Sequence, residues 1–200
     1  MNNNKFFKFG VIALSIVLIA CTGESEAGCP ELGDRNLNVV ATTPMVGEFV
    51  NQVGGDNINL TILMPAEADP HSYEPAPQDA GTIADADLVF YTGLKYEPAP
   101  VVKLLENSAC SPEILAEVGE SVYPIEFNEE GEEDEEEGHE GHGHGAYDPH
   151  FWFDPSRVVY AAEYIEVKLS ELDPSNQSNF KASLVLSLIH ISEPTRPSSI

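Results

Sequence analysis

Eighteen residues, 138–155, hold four of the six histidines of the chain, its single tryptophan and two Asp-Pro steps (GHEGHGHGAYDPHFWFDP). Imidazole is the commonest protein ligand for zinc and its neighbours, so histidines at this density point to metal chemistry. The four are not equivalent. His139, His142 and His144 alternate with glycine and glutamate behind an acidic block, a composition suited to loose, multi-site capture. His150 stands between Pro149 and the pair Phe151 and Trp152, and reads as a rigidly held ligand. A fixed ligand needs a partner, and the candidate is His71, within Asp69-Pro70-His71-Ser72-Tyr73-Glu74-Pro75. Asp69, Glu74, Asp148 and Asp154 are the carboxylates near enough in sequence to orient the two rings, and the sequence does not choose among them. Phe151 and Trp152 read as packing residues rather than as a ligand cage, and His190 is given no role.

Composition narrows the partners. At 200 residues and 42% hydrophobic content the chain can bury a real core in one or two domains. The net charge is −25, and ten of the acidic residues fall within 126–140, which holds no lysine or arginine. Nucleic acid is excluded as a partner, because phosphate binding needs a basic surface; an acidic one suits cations. Residues 1–20 read as a signal peptide: Lys5 and Lys8 precede an apolar run over 11–20 that is too short to span a bilayer. Leu18-Ile19-Ala20-Cys21 looks like the lipobox of a bacterial lipoprotein, with cleavage before Cys21 and lipidation of that residue; the alternative is an ordinary signal peptide cut near Ala20. Residues 21–36 then form a tether holding the domain at the outer face of a membrane. Cys29 and Cys110 remain, and export permits a disulfide between them, though sequence alone leaves that pairing open.

The elements that must position the histidines read as α/β. Strands are predicted over 38–42, 58–63, 87–92 and 121–127. Helices are predicted from Pro44, with Val46, Phe49, Val50 and Val53 on one face, to the Gly54-Gly55 stop, and then over 78–84 and 98–107. Asp154 and Pro155 open a long helix whose apolar face is Val158, Ala162, Ile165, Leu169 and Leu172; Asp173-Pro174 interrupts it, and 175–181 can begin a continuation. The alternation predicts a four-stranded parallel sheet flanked by helices. His71 and His150 each follow a predicted strand and precede a helix, which places both at the C-terminal edge of the sheet, where ligands bind in such folds. The expected division is a lobe over 37–153, with an acidic and histidine-rich loop at 126–146, and a linking helix over 154–182. Residues 183–200 resemble the translated adapter tails of truncated gene sequences and are expected to be a non-native tail.

Four segments carry a family resemblance: Val39-Val40-Ala41-Thr42-Thr43-Pro44; the Asp69 to Pro75 segment; Ala86-Asp87-Leu88-Val89-Phe90-Tyr91-Thr92-Gly93-Leu94; and Asp148-Pro149-His150-Phe151-Trp152-Phe153-Asp154-Pro155. In that order they resemble the metal-binding subunits of bacterial zinc and manganese ABC importers, the ZnuA-like cluster A-I solute-binding proteins. The resemblance implies the N-terminal lobe of a two-lobed binding protein plus the start of the helix joining the lobes. It implies His71 and His150 as the first two metal ligands, a histidine-rich loop typical of zinc-transporting members, and further ligands (a His or Glu, then an Asp) from a second lobe that this chain lacks. The expected function is capture of Zn(II) by a monomeric, lipid-anchored extracytoplasmic protein that delivers it to an ABC permease, with Mn(II) as the alternative ion. A secreted zinc hydrolase would need a motif such as H-E-x-x-H, which does not occur. A surface adhesion lipoprotein is the third reading, with no feature specific to it.

Overall fold

The computed structural model describes residues 28–126 and 146–192. The predicted signal peptide, Cys21, His139, His142, His144 and residues 193–200 lie outside the described residues.

Four strands, β1 (Leu37–Ala41), β2 (Ile58–Ile62), β3 (Leu88–Tyr91) and β4 (Leu115–Glu117), form one parallel sheet in the order β2-β1-β3-β4. The alternation of side chains along β1 feeds both faces of that sheet. Val39 and Ala41 join Phe90 in the core under α1 (Pro44–Gly54), α4 (Pro155–Leu172) and α5 (Gln177–Ser192). Val40 joins Val89 in the core under α2 (Pro77–Ala84) and α3 (Ala99–Ser108). A strand covered on both sides must be apolar throughout, which is why residues 37–41 and 88–91 read as near-continuous hydrophobic runs. Each fully buried Val, Leu or Phe in these layers contributes roughly 1.5–3 kcal/mol.

Local signals start and stop the helices. The Thr43 hydroxyl accepts the Val46 amide at the head of α1, with Pro44 in the first turn, and Gly55 at φ 51° ends the helix in a conformation that glycine adopts freely. Asp154 accepts the Ser156 amide at the head of α4. Asp173 closes the turn between α4 and α5 by accepting the amides of Ser175 and Asn176. At the N-terminal edge of the sheet the Arg35 guanidinium grips the buried Asp87 carboxylate at 2.5 and 2.8 Å, and Asp87 also accepts the Asn38 amide. Cys29 and Cys110, left open by the sequence, form a disulfide with Cα atoms 4.9 Å apart.

Two expectations need correction. The predicted fourth strand at 121–127 is not in the sheet; β4 lies earlier, at Leu115–Glu117. Tyr123 is left-handed at φ 53°, and Pro124 follows it, so the chain cannot run extended through this segment. Only β5 (Ile125–Glu126) is extended there, and it pairs antiparallel with β6 (Tyr147–Asp148), just before His150. His150 therefore follows a two-residue ribbon and not a strand of the main sheet. α5 runs on past residue 183, where the Ser187 hydroxyl, itself buried, donates to Gln52 at 2.6 Å.

Candidate metal centre

The order of the sheet reverses between β1 and β3, and the crevice outside their C-terminal ends is where an open parallel sheet binds ligands. Three connections meet there. The loop after β2 brings His71, the loop after β3 brings Tyr96, and the turn before α4 brings His150. The His71 and His150 ring centroids are 6.0 Å apart. Two imidazoles sharing one tetrahedral zinc at about 2.0–2.1 Å per bond have centroids roughly 5 Å apart, so the pair stands about 1 Å from a shared geometry.

The two histidines are presented by the same local device. In each Asp-Pro-His step the aspartate carboxylate accepts the histidine amide two residues on, Asp69 from His71 at 3.0 Å and Asp148 from His150 at 2.9 Å. Proline between them fixes one torsion, and the side-chain bond fixes the turn. Asp69 also accepts from Ser72 Oγ at 2.8 Å. Asp148 Oδ1 lies 2.7 Å from His150 Nδ1, which leaves Nε2 as the ring's outward nitrogen. Burial alone would raise the Asp148 pKa, but the bonds and the charge of His150 outweigh it and hold the carboxyl below its usual range. The His150 side chain keeps 38% of its surface, enough for an ion to reach it, and His71 is exposed.

The other two candidate carboxylates do not orient a ring. Asp154 caps α4 and pairs with Arg157 at 3.3 Å, and Glu74 is exposed with no hydrogen bond among the described residues. Phe151 is buried beside Phe49, as expected for a packing residue. Trp152 does more than pack, because its ring lies 5.3 Å from His150 and 5.2 Å from Tyr96. Tyr96 itself was missed in the sequence, although an aromatic just past the Gly93 turn, at the end of a central strand, falls where the sheet order reverses. Its ring meets His71 at 5.0 Å and His150 at 5.7 Å. Burial, and then the charges of Glu97 and Asp69, push its phenol above the usual range, so it stays protonated.

Two imidazoles held this way can bind a divalent cation of borderline character. Among the described residues no three His, Cys, Asp or Glu side chains converge, so the pair alone would leave an ion's coordination shell incomplete. An open cleft of about 670 Å³ continues from His71 along Lys95, Tyr96 and the first turns of α3.

The family model described as the periplasmic zinc-uptake complex component A, ZnuA, matches residues 39–186. The metal ABC transporter substrate-binding lipoprotein ScbA of Streptococcus cristatus is 33% identical over 173 residues, covering 84% of this chain and 51% of that protein. The manganese ABC transporter substrate-binding lipoprotein scaA of Streptococcus gordonii is 31% identical over 174 residues, with the same two shares of 84% and 51%. The chain thus spans about half the length of the curated relatives it matches. Among solved structures, Zn(II)-bound AdcA from Streptococcus pneumoniae superposes with a TM-score of 0.62 at 27% identity, over 78% of this chain and 30% of that one. A crystal structure of ZnuA superposes with a TM-score of 0.62 at 25% identity, over 78% and 55%.

Proposed function

The chain belongs to the ZnuA family, and from that membership we propose that it captures Zn(II) outside the cytoplasm for an ABC importer, with His71 and His150 as fixed ligands. The observation that carries the reading is the pair of imidazoles 6.0 Å apart, each presented by an Asp-Pro-His turn. Imidazole suits zinc, whereas manganese is better served by oxygen ligands, and both site ligands here are nitrogens. Mn(II) is the second reading, favoured by relatives whose names specify manganese, such as the scaA protein. The relatives are named as substrate-binding lipoproteins and not as enzymes.

His139, His142 and His144 supply weak capture in this proposal, and lipidation of Cys21 holds the domain near the permease that takes the ion. Both follow from the sequence and the relatives' names as lipoproteins. The test is a titration of the metal-free chain with Zn(II) against a chromophoric chelator. One site of modest affinity is expected, because two imidazoles leave coordination positions to water; it is lost in His71→Ala and in His150→Ala and kept when residues 129–145 are deleted. Loss of all binding on deletion of that loop alone would overturn the fixed site.

A further inference from the structure

The turn between β3 and α3 is strained in a way that its sequence does not require. Gly93, Leu94 and Lys95 are consecutive left-handed residues, at φ 76°, 53° and 63°. Side chains disfavour that region, and two successive non-glycine residues in it persist only where the surroundings over-determine the backbone. Here two carboxylates do so. Glu97 accepts the Thr92 amide at 2.6 Å on one oxygen and the Gly93 amide at 2.9 Å on the other, and its first oxygen also takes the Thr42 hydroxyl at 2.7 Å. Glu117 accepts the next amide, that of Leu94, at 2.8 Å. The Glu117 side chain fills the space where a Cβ on Gly93 would sit, so that position is closed to other residues.

This clamp also costs a buried charge. Glu97 is 4% exposed, and burial raises its pKa despite the bonds it accepts. Carboxylates are almost never buried unless their partners compensate, so an ordinary tight turn does not explain the arrangement. What the turn delivers is the next residue. Tyr96, its amide bonded to the Gly93 carbonyl at 2.9 Å, is 8% exposed, and its ring meets His71, His150 and Trp152 edge-on, at interplanar angles of 69°, 87° and 80°. The two histidines come from loops far apart in sequence, and Tyr96 is a side chain that touches both.

We propose that Tyr96 is a positioning residue that sets the separation of His71 and His150, and that the buried Glu97 carboxylate holds it in place through the strained turn. Neither residue needs to touch the ion. The inference rests on the reading of those histidines as metal ligands. Its consequence is that metal affinity and coordination geometry respond to a flat ring at position 96, over and above the burial that any apolar side chain would supply.

The test uses Zn(II) affinity, together with the visible absorption of Co(II) bound at the same site, in Tyr96→Phe, Tyr96→Leu and Glu97→Gln, with His71→Ala as the reference. Tyr96→Phe is expected to keep the native affinity within about twofold and the native Co(II) spectrum. Tyr96→Leu preserves burial but not the flat face, and is expected to weaken Zn(II) about tenfold and to shift the Co(II) bands, as loss of a group that orients a ligand does. Glu97→Gln replaces one acceptor with a donor facing the Gly93 amide and is expected to follow Tyr96→Leu; should it fail to fold, Tyr96→Leu decides alone. A lowered melting temperature in Tyr96→Leu with native affinity and native Co(II) bands would reduce Tyr96 to core packing and overturn the inference. Native affinity in His71→Ala would instead overturn the metal-site reading beneath it, and the two failures are told apart by that reference.

Discussion

The Nδ1 atom of His150 and its own backbone amide both meet one oxygen of Asp148, at 2.7 and 2.9 Å. A single carboxylate oxygen thereby sets both where the residue sits and which way its ring faces. Nε2 is left free for the proposed ion, and a negative partner on the far nitrogen makes that lone pair more basic. Asp148→Ala is expected to weaken Zn(II) binding about tenfold or more while His71 still contributes. Competition against a chelator of known affinity measures it, and a native constant in the variant would remove Asp148 from the ligand's support.

Trp152 is the only tryptophan in the chain and stands 5.3 Å from the His150 ring. Its emission should change on addition of Zn(II), saturate with the same constant that calorimetry gives, and fall silent in His150→Ala. An ion that binds tightly by calorimetry without any fluorescence response would have to sit away from His150.

The Cys29–Cys110 bridge joins residues 81 apart in sequence. Closing a loop of that size restricts the unfolded chain by about 4 kcal/mol in the chain-entropy picture. The Cys29→Ser, Cys110→Ser double variant should lose stability of that order in urea, and the native chain should lose the same on reduction. Coincident unfolding curves would show that the bridge contributes nothing.

Asp173 gives a pH-dependent term remote from the metal centre. Burial pushes its pKa up, but bonds from the Ser175 and Asn176 side chains and amides pull it below the usual aspartate value. A depressed carboxyl stabilises the fold above its unfolded pKa of about 3.9 and loses that contribution as pH falls through the folded value. Asp173→Ala should therefore be less stable than the native chain by about 1 kcal/mol at neutral pH, as for a lost cap. The gap should begin to narrow below about pH 4, where the unfolded native chain takes up its proton, and go on narrowing as pH falls through the lower folded value. A gap constant down to acid pH would mean that Asp173 acts by packing alone.

Much of this arrangement was legible in the sequence. The apolar runs at 37–41 and 88–91, the alternation at 58–62 and the apolar faces of α1 and α4 could each be read from local pattern, and His150 stood out for its setting between Pro149 and two aromatics, with His71 as its proposed partner. What escaped was set by contacts distant in the chain. β4 is three residues long, with a glutamate at its end, and carries no pattern of its own; its place is fixed by pairing with β3. Glu97 looked like any surface glutamate because its three donors, Thr42, Thr92 and Gly93, come together only once β1 and β3 are side by side. Tyr96 was hidden for the same reason, since a left-handed turn through Leu94 and Lys95 has no signature in those two residues.

The two Asp-Pro-His turns also bear on time. Under the proposed reading of His71 and His150 as ligands, each backbone is already fixed by its own aspartate, an arriving ion would meet rings near the spacing it needs, and little chain ordering would accompany capture. The barrier to entry is then mainly the stripping of water from the ion. Arrival should differ little among variants of the site, and a weakened contact should show itself as a shorter residence time.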